Sequence, residues 1–60
     1  MIVRLKEDDE RFKMKKGDVL EVRPYQYDPH EKLTVIRRLS DDFDPCCNVY
    51  RSDVEVLKVK

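Results

Sequence analysis

No window of this sequence places apolar residues at the three-and-four spacing of a helix face. They fall instead in short runs rich in Val, Ile and Leu, broken by charged or Pro-containing segments. Such runs, alternating apolar with polar, are the pattern of half-buried strands. Val3 and Leu5 alternate with Arg4 and Lys6. Residues 7–11 carry no apolar side chain and read as an exposed loop. Phe12 and Met14, two apart, face the same way if that segment is extended and pin the far end of the loop to the core. Leu20 and Val22 mark a second strand, closed by Pro24, which cannot donate to a ladder. A third strand, residues 33–39, sets Leu33, Val35 and Leu39 on one face and Ile36 on the other. Residues 46–51 supply its partner, and Val54, Val56 and Leu57 point inward from the last strand. Five short strands with turns between them predict an all-β fold, a small barrel or sandwich.

The turns are legible too. Gly17 is the only glycine, and Lys16-Gly17-Asp18 is the natural tight turn because glycine takes positive φ without steric cost. Residues 25–32 read as a hairpin loop in which Asp28-Pro29-His30-Glu31 fits a type I turn. Residues 40–45 form an acidic turn around Phe43. Ser52-Asp53 offers hydroxyl and carboxylate acceptors suited to a single helical turn.

Sixty residues make one domain, and a chain of that size buries only about 60% of the surface its unfolded form exposes. With no Trp and five aromatics, the core has nothing to give up to a deep pocket. This argues against an enzyme and for a module that works at its surface. Charge argues against a second class. Thirteen basic residues cancel thirteen acidic ones and the signs are mixed along the chain, so the net basic footprint of an obvious nucleic-acid binder is missing. The opening MIVRLK has no apolar stretch of signal-peptide length, and no segment approaches the roughly 20 apolar residues of a membrane helix. A cytoplasmic location without membrane contact is expected, with Cys46 and Cys47 reduced.

Two segments resemble a known family. Phe12-Lys13-Met14-Lys15-Lys16-Gly17-Asp18-Val19-Leu20-Glu21-Val22 is similar to the diverging turn and second strand of SH3 domains. Tyr50-Arg51-Ser52-Asp53-Val54-Glu55-Val56-Leu57 resembles their closing segment, a 3₁₀ turn running into the last strand. Together they cover about a third of the chain. The resemblance implies a five-stranded SH3-like barrel spanning residues 1–60, with Gly17, Asp18, Ser52 and Asp53 at its structural turns. It does not carry over the family's usual activity. Ligand-binding SH3 domains grip polyproline in an aromatic groove that includes a Trp; this chain has none, and Asp53-Val54 stands where the family places Asn-Tyr. In brevity and charge density the chain is also similar to small proteins carried by bacteriophages and prophages.

The remaining constellations are modest. Adjacent cysteines rarely bridge each other, and in a strand Cys46 and Cys47 point to opposite faces. The single histidine, His30, lies in the opposite hairpin loop, so no metal site and no cofactor is expected. Asp41, Asp42 and Asp44 lack the central Gly and later Glu of a calcium loop and read as an acidic contact surface for a basic partner. Tyr25 and Tyr27, beside Arg23 and across from Arg37 and Arg38, form the best local binding candidate, since aromatics interleaved with Arg can stack bases. Nothing supplies a nucleophile, base and orienting group, so catalysis is not expected. The expected function is therefore a protein-interaction or regulatory module. The alternative is a small-barrel nucleic-acid binder using the Tyr/Arg surface. A weak homo-oligomer formed by covering a sheet edge is compatible with either.

Overall fold

The computed structural model describes residues 1–59. The chain is all-β, with five antiparallel strands in one open sheet: β1 (Ile2–Leu5), β2 (Val19–Pro24), β3 (Lys32–Arg38), β4 (Asn48–Tyr50) and β5 (Val54–Lys58). Their spatial order is β4-β3-β2-β1-β5, so β4 and β5 are the edges. Single 3₁₀ turns occupy Glu10–Phe12 and Arg51–Asp53. The inward positions of the strands (Val3, Leu5, Leu20, Val22, Leu33, Val35, Val49 and Val54) form one core with Met14 and Cys47, and among the described residues no polar side chain is buried in it.

Gly17 occupies the turn as expected. Asp18 donates its N–H to the Lys15 carbonyl at 3.0 Å and returns a carboxylate oxygen to the Lys15 N–H at 2.9 Å. Gly17 sits at the third position with φ +91°, where a type II turn requires it. Its N–H then reaches the Leu5 carbonyl at 2.9 Å and fastens the turn to β1. The 25–32 hairpin loop is also as read, with Tyr25 N–H on the Lys32 carbonyl at 3.0 Å and Glu31 N–H on the Asp28 carbonyl at 3.4 Å.

Several expectations are corrected. Leu39 does not share the core face of Leu33 and Val35; it is 36% exposed. Val22 pairs with Val35 but Glu21 pairs with Arg37, which leaves Ile36 as an extra residue in β3. The bulge inverts the alternation beyond it, turning Arg38 toward the core side opposite Leu20 and Leu39 outward. Residues 12–14 are not extended, because Phe12 ends a 3₁₀ turn and Lys13 adopts φ +56°. Met14 nevertheless reaches the core by bridging back to Asp9, and is 1% exposed. β4 is shorter than residues 46–51, because Cys46 takes φ +52° and Arg51 opens the second 3₁₀ turn. Ser52 and Asp53 lie in that turn without capping it: Tyr50 is the N-cap and no side chain bonds there. The turn is held instead by Arg51, whose N–H donates to the Glu31 carbonyl at 2.7 Å and whose Nε donates to the Pro29 carbonyl at 2.9 Å. In β5 only Val54 is buried; Val56 and Leu57 are 49% and 44% exposed.

A Cβ at Gly17 would meet nothing within 4 Å, so its constraint is purely backbone. Gly17→Val should lower urea-measured stability by about 1–3 kcal/mol, and Gly17→Asn by clearly less because Asn tolerates the left-handed region. Equal losses, or none, would contradict the turn geometry.

Candidate binding surface

Folding neutralises the acidic 40–45 turn. Arg38 donates from Nε and Nη2 to the two Asp41 carboxylate oxygens at 2.9 and 2.7 Å, and from Nη1 to Asp18 at 3.3 Å and the Lys13 carbonyl at 3.1 Å. Its guanidinium also lies 5.0 Å from the Phe43 ring centroid. Arg37 donates to Glu21 at 2.7 Å and pairs with Asp42. Asp44 accepts the Cys46 N–H at 2.8 Å. Three carboxylates that read as a free acidic surface are thus engaged within the fold. The two arginines, raised above their ordinary proton affinity chiefly by hydrogen bonds to Asp41 and Glu21, are engaged with them.

The Tyr/Arg candidate is brought together only in part. Tyr25 and Tyr27 meet edge to face, 5.5 Å between centroids, at the β2–β3 hairpin end of the sheet. Pro24 pairs with Leu33 there, whereas Arg37 lies four residues further along β3, roughly 13 Å away. Arg23 alone joins the tyrosines. Among the described residues its side chain has no carboxylate or carbonyl partner, and it lines a depression with Tyr25, Tyr27, Gln26, Thr34 and Asn48. A neighbouring depression, bounded by Arg23, Ile36, Asp44 and Cys46, meets it across the Thr34 hydroxyl, which donates to Asn48 Oδ1 at 2.9 Å.

Asn48 proves to be the centre of the concave surface, and sequence reasoning passed over it. Two further depressions open beside it. One, lined by Arg11, Phe12, Lys32 and Tyr50, holds the Lys32 ammonium 5.3 Å from the Tyr50 ring and 5.9 Å from the Tyr25 ring. The other is a cleft of about 100 Å³ between the 7–11 segment and the β4–3₁₀ junction, lined by Glu7, Asp8, Asp9, Arg11, Tyr50 and Asp53. Four carboxylates face one guanidinium there. Asp8 accepts the Lys16 N–H at 2.7 Å and Asp9 lies 3.5 Å from Arg11, while the Glu7 and Asp53 side chains have no partner among the described residues. This cleft therefore carries net negative charge, apart from the depression that Arg23 lines. The run Glu7-Asp8-Asp9-Glu10 was visible in the sequence; its closure against Asp53 comes only from β1 pairing with β5.

Cys47 is buried, and burial pushes its thiol up to about 11; Cys46 is exposed. His30 is exposed in its turn. Among the described residues, no group of three or more His, Cys, Asp or Glu is arranged to hold a metal ion, and no helix is long and apolar enough to cross a membrane. A scan against protein-family models, a search of curated proteins and a search of solved structures each return no match to this chain.

Two outcomes follow from this geometry. Arg38 holds the Asp41 carboxyl below its ordinary range, so the folded state binds that proton less tightly than the unfolded chain does, at about 3.9. The stabilisation is complete above roughly pH 5 and is lost as pH falls through the lowered value. Melting temperature should drop less steeply on acidification in Asp41→Asn than in the wild type; parallel curves would discount the pair. Separately, a thiol reagent at neutral pH should modify Cys46 alone in the native protein and both cysteines in denaturant, read by mass spectrometry.

Proposed function

We propose that this chain is an SH3-like barrel acting as a non-catalytic binding module, and that the cleft beside Tyr50 receives an extended basic segment of a partner protein. The fold reading is supported by the strand order, with β1 flanked by β2 and β5, and by the 3₁₀ turn that leads into β5. One observation supports the partner's chemistry above the rest. Four carboxylates, Glu7, Asp8, Asp9 and Asp53, line one narrow cleft with the Tyr50 ring and a single guanidinium, Arg11, and neither Glu7 nor Asp53 has a side-chain partner among the described residues. A lysine or arginine entering there gains charge-assisted hydrogen bonds in a partly dehydrated setting, with its aliphatic stem against the tyrosine. The missing Trp and the small cleft favour a short, charge-led contact over a polyproline groove.

The nucleic-acid alternative retains one supporting observation, the unpartnered Arg23 beside Tyr25 and Tyr27. Anisotropy titrations at low salt separate the two. A labelled peptide with alternating Arg and Ser should bind with a Kd of tens to hundreds of micromolar and weaken with salt. Glu7→Gln with Asp53→Asn should weaken it about tenfold, and Arg23→Ala should leave it unchanged. Binding of a single-stranded oligonucleotide that is lost in Arg23→Ala, with no peptide binding, would overturn the proposal.

A further inference from the structure

β5 ends the sheet with an unusual combination of exposure and pattern. Val56, Leu57 and Val59 are 49%, 44% and 72% exposed, and among the described residues the one backbone hydrogen bond of 54–59 outside the β1 ladder is the Val54 N–H on the Arg51 carbonyl, which closes the 3₁₀ turn. The Lys6 N–H donates to the Asp53 carbonyl at 3.0 Å, which fixes residue 53 as facing β1. By the alternation of an antiparallel ladder, Val56 then directs its N–H and C=O to the free edge, as Val54 does its C=O. The register supplies the second part. Val3 pairs with Val56 but Ile2 pairs with Lys58, so Leu57 is an extra residue in β5. Without it, Glu55 and Lys58 would lie on opposite faces. With it, both lie on the outer face, because their partners Arg4 and Ile2 share that face.

Residues 54–59, Val-Glu-Val-Leu-Lys-Val, then count as five ladder steps centred on Val56. We infer that the β5 edge is an interface for a second copy of this chain, paired antiparallel about a two-fold axis through Val56. In that register Val56 opposes Val56 of the copy, each Glu55 opposes a Lys58, and each Val54 opposes a Val59. The segment is self-complementary in charge as well as in polarity. Lys58 has no carboxylate partner among the described residues of its own chain, while Glu55, held by Arg4 at 3.0 Å, has a half-exposed side chain that a second cation can approach. A bulge and a lysine ordinarily blunt an edge; here the bulge is what brings the two halves of the segment into register. A heterologous strand would have to reproduce the same spacing, which a second copy does automatically. The inference does not rest on the peptide cleft, whose lining reaches Asp53 but none of residues 54–59.

Sedimentation equilibrium of the full chain from about 10 µM to about 1 mM tests it, the range proper to a small interface of five ladder steps. The wild type should move toward the mass of two chains. Glu55→Lys and Lys58→Glu should each raise the dissociation constant at least tenfold, since each places like charges opposite one another. An equimolar mixture of the two variants should associate again, because each supplies the charge the other lacks. Val56→Pro removes an N–H that β1 does not use, so it should keep the wild-type circular dichroism and lose association. A wild type that stays monomeric at about 1 mM, or a mixture no more associated than its components, would overturn the inference.

Discussion

The guanidinium of Arg38 joins three segments that are distant in sequence: Lys13 in the long first loop, Asp18 at the glycine turn, and Asp41 with Phe43 beyond β3. It can do so because Ile36 is an extra residue in β3, which turns Arg38 to the core side at the end of the sheet. An aliphatic residue there would pack under the loop but could not satisfy Asp18, Asp41 and a carbonyl together. The planar, five-donor group can. In a chain whose core is made almost entirely of Val and Leu, this one cation fixes how the loops at that end lie relative to each other.

The strands were legible because their core positions alternate over short stretches, and Gly17 because only one residue in the chain could adopt its conformation without strain. What escaped was parity. A period of two assumes that each residue meets one partner, and the extra residues Ile36 and Leu57 violate that assumption in ways no side-chain pattern announces. Leu39 was misplaced for that reason. Turn chemistry failed differently: Ser52 and Asp53 had the right acceptors, but the Arg51 N–H and its Nε, donating to carbonyls of the 25–32 loop, hold the turn without them.

Charge shows the same division. Composition gave neutrality, and neutrality conceals how the charges are partitioned. The arginines of β3 and the aspartates that follow it neutralise one another, while Glu7 and Asp53, 46 residues apart, are gathered into one cleft by the pairing of β1 with β5. The aromatic set was likewise legible as residues and illegible as a site. Tyr50 contributes beside Lys32 and Asn48, neither of which has any distinguishing sequence signal.

Met14 lies in the first loop yet is the largest of the fully buried side chains. A loop that supplies such a piece of the core cannot swing away as a lid without opening the hydrophobic interior to water. The carboxylates that precede it are therefore mounted on a wall whose position is set by global folding rather than by local breathing. On the proposed binding function, occupancy of the cleft and resistance to unfolding would be linked quantities, and the exchange of a bound segment would be limited by its own departure, not by a gate.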